Sequence, residues 1–183
     1  MRTLALLPIC LLLASTAPGA QVPWRTPELT LQGSGGKQFR LSQYAGKVIV
    51  LALMHTTCKH CQDLTRLLVP LQQDYAKRNV QVIEVAFNDD APMTMGPFFE
   101  VFKPNFPVGL ANDATIRNYL KWDDKKDGML YVPRLVFIDP SGMITSEHGE
   151  NEFFGPAVDK NIRSVLDKML GKPAAPAAPV KKK

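Results

Sequence analysis

The chain has 183 residues, with 22 basic and 17 acidic side chains, three cysteines and 45% hydrophobic residues. This composition excludes a collagen-like repeat, a disulfide-dense miniprotein and an intrinsically disordered chain. The net charge of +5 comes from the two ends, where Arg2 and four lysines after position 171 lie. Positions 21–171 hold 17 basic and 17 acidic residues, so we expect no nucleic-acid partner.

The first 20 residues have the pattern of a secretory signal peptide. Arg2 precedes an apolar run at positions 4–14, and small residues follow up to Gly19 and Ala20, where we expect cleavage. An uncleaved membrane anchor is the alternative, but the run is shorter than the roughly 20 residues that span a bilayer. We therefore expect a periplasmic or secreted protein with no stable membrane span, and cleavage removes Cys10.

Positions 21–171 are long enough for one domain, and 172–183 form a low-complexity tail of Pro, Ala and Lys that we expect to be disordered. Within the domain, hydrophobic periodicity and turn residues predict alternating strands and helices. The predicted strands are 48–54, 80–87, 106–110, 134–139 and 143–148, the predicted helices are 58–77, 97–103, 113–120 and 156–170, and 122–130 is a charged loop. This order predicts an α/β fold with a central mixed β-sheet flanked by helices on both faces.

The two cysteines that remain after cleavage lie in the motif Cys58-Lys59-His60-Cys61, between a buried strand and a helix. A cysteine at a helix N-terminus is stabilised as a thiolate by the helix dipole and free backbone N–H groups, and Lys59 and His60 add positive charge. Cys61 lies one turn further on, within disulfide reach. We expect Cys58 to be the exposed nucleophile and Cys61 the resolving thiol of a disulfide exchange reaction.

A metal centre is the alternative use of these cysteines. Structural zinc requires four ligands, and the motif supplies two. The three histidines, His55, His60 and His148, complete a site only if the fold brings them together. We therefore predict no metal and no cofactor.

Four stretches of the domain carry a resemblance to a known family: "FRLSQYAGKVIVLALMHTTCKHC", "VQVIEVAF", "NFPVGLANDATIRNYL" and "VPRLVFIDPSGMI". From about position 27 to 170 the chain resembles thioredoxin-like extracytoplasmic thiol-disulfide oxidoreductases of the redoxin/TlpA/ResA type. The resemblance implies a thioredoxin-like fold and disulfide exchange with protein substrates and a redox partner protein. It also implies that Pro133 is cis and opposite the cysteines, and that the backbone of Val132 is free to bind a substrate peptide.

The chain departs from that family at three positions near the cysteines. Thr57 stands where a tryptophan is usual, Ala52 where thioredoxin has a buried acid, and Leu64 where ResA-like proteins have a glutamate. Glu84, within an otherwise apolar strand, is the remaining candidate for a buried carboxylate that supports the cysteines. An ordinary solvated carboxylate at a strand end or edge is the alternative.

The direction of the redox reaction stays open at the level of sequence. A histidine between the cysteines stabilises the thiolate and makes the disulfide more oxidising, and His60 and Val132 resemble oxidising DsbA-like sites. The overall pattern instead resembles the reducing TlpA/ResA branch.

Two other functions are alternatives. A peroxiredoxin-like peroxidase needs Pro and Thr seven and three residues before its reactive cysteine, where this chain has Leu51 and His55. A SCO-like copper chaperone is the other, with His148, Met93 and Met95 as further donors. Such proteins space their cysteines as CxxxC rather than CxxC.

Overall fold

A computed structural model describes residues 22–149 and 151–171 of the chain. The predicted signal peptide and the predicted tail lie outside these described residues. Over the described ranges, no helix combines the length and the apolar character needed to cross a membrane.

The described residues form eight strands and six α-helices. The strands are β1 Trp24–Arg25, β2 Thr30–Gly33, β3 Gln38–Arg40, β4 Val48–Met54, β5 Val80–Ala86, β6 Val108–Leu110, β7 Arg134–Ile138 and β8 Met143–His148. The helices are α1 Lys59–Tyr75, α2 Ala91–Phe102, α3 Asp113–Leu120, α4 Asp124–Asp127, α5 Asn151–Phe154 and α6 Val158–Leu170. Short 3₁₀ turns at Ser34–Gly36, Leu41–Tyr44 and Ala76–Arg78 connect some of them.

All eight strands belong to one mixed sheet in the order β1-β8-β7-β4-β5-β6-β2-β3. β4 is parallel to β5 and antiparallel to β7, and β5 is parallel to β6. Every residue of β4 is buried, as its continuous apolar sequence predicts for a central strand. The chain leaves this strand at Met54 and enters α1 five residues later, so the cysteine motif lies at the end of the central strand.

Helices cover both faces of the sheet and produce two hydrophobic cores. One core contains Leu68 of α1, Phe98 of α2 and Ile162 of α6. The other contains Ile116 of α3 together with N-terminal residues such as Leu31. The predicted α/β class, with a mixed sheet flanked on both faces, is confirmed.

The structure differs from the predicted elements in four places, one of which is the short helix α5, which was not predicted. The helix predicted at 97–103 begins at Ala91, because Asp90 and Pro92 form its first turn and Pro97 is accommodated inside it. The charged loop at 122–130 contains the short helix α4. The N-terminal strands β1–β3 were not predicted, since strands of two to four residues are too short to show a periodicity.

Candidate functional site

Cys58 caps the N-terminus of α1. Its backbone is extended, and its Sγ accepts a hydrogen bond of 3.4 Å from the backbone N–H of Cys61. Both cysteines are free thiols; Cys58 is half-buried and Cys61 is buried. The sulfur that solvent can reach therefore lies at the positive end of a 17-residue helix, where a thiolate is stabilised.

Cys61 has the opposite environment. Only 1% of its surface is exposed, and this burial raises the pKa of its thiol far above the usual value. The neighbouring Cys58 and the charge of Glu84 raise this pKa further, while the backbone N–H of His55 lowers it. Cys61 is therefore a neutral thiol, and a base must remove its proton before its sulfur can attack a disulfide.

A hydrogen-bond network that the sequence did not reveal fixes the loop before Cys58. The backbone N–H of Thr56 donates to Asn88 Oδ1 at 3.0 Å, and Asn88 Nδ2 donates to the Thr56 hydroxyl at 2.9 Å. That hydroxyl also bonds the hydroxyl of Thr94 at 2.6 Å, and Gln62 Nε2 donates to the Thr56 carbonyl at 2.9 Å. Because the loop after β5, α1 and α2 all contribute, the start of α1 is tied to α2 and to the loop that follows β5.

Glu84 is a buried carboxylate on an internal strand, with 1% of its surface exposed. It pairs in register with Ala52 of β4 on one side and Val108 of β6 on the other. The solvated alternative is therefore wrong. Ala52 is the position at which thioredoxin has its buried acid, so this chain places a carboxyl on the adjacent strand, directly beside that position.

The Glu84 carboxyl is connected to α1 through Thr65. The Thr65 hydroxyl lies 2.8 Å from Glu84 Oε1 and 3.0 Å from the carbonyl oxygen of Cys61. Glu84 Oε2 has no hydrogen-bond partner among the residues that the structure describes. Burial raises the pKa of Glu84 to about 8, and the bond from Thr65 lowers it only in part. At neutral pH the carboxyl is mostly protonated.

An open groove of about 1170 Å³ lies beside the cysteine motif. One wall is α1, through His60, Leu64 and Leu67, and a second is formed by Tyr131, Val132 and Pro133. The third contains Gly149, Glu152, Phe154, Gly155, Pro156 and Val158. The Val132–Pro133 peptide bond is cis. Val132 is half-buried and Tyr131 is 62% exposed, so part of this surface is accessible.

The side chains of Lys59 and of two histidines weighed as metal ligands, His55 and His148, have other partners. Lys59 is exposed and forms an ion pair with Asp63 at 2.6 Å, so its ammonium group is committed to a neighbour on α1. His55 packs edge-on against Phe87, and His148 stacks on Phe153 at 3.9 Å between ring centres.

The residues of the proposed copper site are also dispersed. Met93 is 77% exposed, whereas Met95 is buried. Within residues 22–149 and 151–171, no group of three or more His, Cys, Asp or Glu side chains is placed to hold a metal ion. The geometry gives the copper alternative no support.

A second buried charge lies next to the groove and was not predicted. Arg134 directly follows Pro133, and its Nη1 lies 2.6 Å from Glu147 Oε1, with side chains only 9% and 16% exposed. Its guanidinium carbon lies 4.5 Å from the centre of the Trp122 ring. The only sequence signal was a basic residue at the start of an otherwise apolar strand.

Comparison with known proteins agrees with this geometry. The sequence pattern of the AhpC/TSA family matches residues 22–147, which include both cysteines, Glu84 and Pro133. The chain belongs to the AhpC/TSA family.

The relatives of this AhpC/TSA protein include the thiol-disulfide oxidoreductase ResA of Geobacillus thermodenitrificans, with 25% identity over 118 residues. That match covers 64% of this chain and 63% of the relative, so it spans less than two thirds of either protein.

Among solved structures, a thiol:disulfide interchange protein of the thioredoxin family from Chlorobium tepidum has a TM-score of 0.68 and 22% identity, covering 81% of this chain and 97% of that one. The thioredoxin domain of a thiol-disulfide oxidoreductase from Bacteroides vulgatus has a TM-score of 0.64 and 15% identity, covering 86% and 100%. The resemblance and the thioredoxin-like fold predicted from the sequence are confirmed.

Proposed function

We propose that this protein is a thiol-disulfide oxidoreductase that exchanges disulfides with protein substrates through Cys58 and Cys61. The observation that carries the proposal is the asymmetry of the pair: Cys58 is accessible at a helix N-terminus, and Cys61 is buried one turn behind it. Such an arrangement supports attack by one sulfur and resolution by the other. The similarity to the thiol-disulfide oxidoreductase ResA supports this chemistry.

The reaction proceeds in two balanced exchanges. In the reducing direction, the Cys58 thiolate attacks one sulfur of a substrate disulfide, forms a mixed disulfide and releases the other substrate sulfur as a thiolate. Cys61 then loses its proton and attacks the Cys58 sulfur, which frees the second substrate thiol and leaves the Cys58–Cys61 disulfide. The reverse sequence oxidises a substrate dithiol. His60 lines the groove beside the motif and is proposed to contact the substrate in either direction, whereas Lys59 is paired with Asp63.

Glu84 is proposed as the group that accepts the proton of Cys61. It is the buried carboxyl coupled to this thiol. Because its pKa is about 8, the ionised form is a minority at neutral pH, but that form is a stronger base than an exposed carboxylate and accepts the proton. Val132 is proposed to offer its backbone to an extended substrate segment beside Pro133, since both residues line the groove next to α1.

The proposed location is the periplasm or the cell exterior. The support is the signal-peptide pattern of the first 20 residues, together with the absence of other cysteines from the domain. An oxidising compartment suits a chain whose two remaining cysteines form a redox pair. Export is tested by finding Ala20 or Gln21 at the N-terminus of the protein from a periplasmic extract.

The test of the activity compares wild type, Cys58→Ser and Cys61→Ser in insulin reduction and in disulfide formation on a reduced protein. We expect Cys58→Ser to lose both activities, because the nucleophile is absent. Cys61→Ser should accumulate a mixed disulfide with its substrate, because the resolving thiol is absent. Activity that persists in Cys58→Ser would overturn the mechanism.

The same preparations decide the alternatives. Peroxide consumption as fast as disulfide exchange by wild type would favour a peroxidase. Tight Cu(I) binding that His148→Ala abolishes would favour a copper chaperone. The reduction potential of the Cys58–Cys61 pair separates an oxidase, at about −120 mV, from a reductase, at about −270 mV.

A further inference from the structure

Arg134 connects the segment after the cis peptide with the opposite wall of the groove. Its backbone directly follows Pro133, which lines one wall. Its guanidinium lies against Gly149, which begins the other wall: a Cβ at position 149 would lie 2.3 Å from its Cζ and 2.4 Å from Nη2.

Position 149 therefore requires glycine because a Cβ atom would clash with the Arg134 guanidinium, and not because of its backbone conformation. The φ angle of Gly149 is outside the left-handed range that favours glycine, so an L-residue is disfavoured there only because the guanidinium fills the space. A buried guanidinium has little freedom to move away, because Glu147 and Trp122 hold it from two further sides.

Trp122 connects this contact to the charged segment 122–130. The Trp122 ring packs over the guanidinium, and its Nε1 donates to the carbonyl of Gly128 at 3.0 Å. Leu130 is buried in the core, while Met129 and Tyr131 on either side of it are 68% and 62% exposed. The segment is thus anchored at both ends and leads directly into the groove wall at Tyr131.

We propose that Arg134, clamped by Glu147, Trp122 and Gly149, is a positioning residue that sets the spacing of the groove walls and so the affinity for protein substrates. This inference rests on the proposed function. A protein substrate must place an extended segment along the groove beside its disulfide, so its binding depends on both walls. A small disulfide such as glutathione disulfide needs only the exposed sulfur of Cys58.

The test uses the full chain with Trp122→Ala, which removes the stacked ring, and Gly149→Ala, which displaces the guanidinium. Trp122→Phe keeps an aromatic face and is the conservative control. Arg163→Lys is the matched control for arginine chemistry, because Arg163 also has ion pairs, with Asp74 and Asp159, and lies far along α6 from the groove.

We expect Trp122→Ala and Gly149→Ala to raise the KM for insulin by roughly tenfold, because a displaced wall misplaces the substrate segment. Their kcat and KM with glutathione disulfide and their Cys58–Cys61 reduction potential should equal those of wild type. Trp122→Phe and Arg163→Lys should match wild type throughout. Circular dichroism confirms that each variant is folded at the assay temperature.

The positioning role would be overturned if Trp122→Ala and Gly149→Ala raised the KM equally for insulin and for glutathione disulfide. It would also be overturned if they changed the KM for neither substrate. Failure of the proposed function gives a different result, because wild type itself would then reduce or oxidise neither substrate.

Discussion

Glu84 and Arg134 are both buried ionisable residues on internal strands, but only Arg134 has an oppositely charged partner. The Arg134 guanidinium is paired with Glu147 and covered by Trp122. Glu84 has one neutral hydrogen-bond partner, Thr65, and forms no ion pair with any residue that the structure describes. A paired buried charge is a fixed structural element, whereas an unpaired buried acid responds by keeping its proton.

The difference suits the two residues to the different roles proposed for them. The Arg134 guanidinium is held by an ion pair and a stacked ring, so it suits a role in holding the backbone in place. The Glu84 charge changes near neutral pH, since burial raises its pKa to about 8, so it suits proton transfer. Four experiments test this comparison.

The largest effect is expected from breaking the ion pair. Arg134→Met leaves the Glu147 carboxylate buried without a partner and should lower the free energy of unfolding by about 3–5 kcal/mol. Arg134→Met combined with Glu147→Leu removes both charges and should lower the free energy of unfolding much less. Urea denaturation of the two variants measures this, and equal losses would show that the pair is not coupled.

The next effect concerns the resolving step. Glu84→Gln removes the proposed proton acceptor of Cys61 and should slow resolution of the mixed disulfide by roughly 10- to 100-fold. Ala52→Glu combined with Glu84→Ala moves the carboxyl to the paired position on β4 and should restore much of the rate. Acid quench and mass spectrometry follow the intermediate. An unchanged rate in Glu84→Gln would exclude Glu84 as the acceptor.

The third effect is the pH dependence of stability. The pKa of Glu84 rises from 4.5 to about 8 on folding, so between these values the unfolded state releases a proton that the folded state keeps. Stability relative to Glu84→Gln should therefore fall as pH rises from 4.5 to 8, by about 1 kcal/mol per pH unit. Denaturation at several pH values measures the difference. A difference that is flat with pH would contradict the raised pKa.

The smallest effect is expected at Thr65. Its hydroxyl bond lowers the pKa of Glu84, so Thr65→Val, which has the same shape, should move the Glu84 midpoint to higher pH. The midpoint can be followed by the carboxyl infrared band, with Glu84→Gln as the blank. A midpoint at lower pH would mean that another group replaces the Thr65 hydroxyl as the hydrogen-bond donor to Glu84.

The sequence was most informative where a local pattern and a buried environment coincide. The fully apolar run at β4 and the ends of α3 were predicted at the observed residues, because length and periodicity leave little choice there. The start of α2 was missed because Pro97 resembles a first-turn proline but lies inside the helix. The short strands of the N-terminal segment exist only through pairing with strands distant in sequence, which no local pattern reports.

The sequence by itself determined the cysteine pair, its place between a buried strand and a helix, and the neutrality of the domain. Only the tertiary structure decided what surrounds the pair. Strand register placed Glu84 beside Ala52, and helix packing placed Thr65 against it. The contact of Arg134 with Glu147, Trp122 and Gly149 joins three separate segments of chain. Burial and pairing are long-range properties: they give Glu84 a raised pKa and hold Arg134 in an ion pair, and a local sequence pattern reports neither.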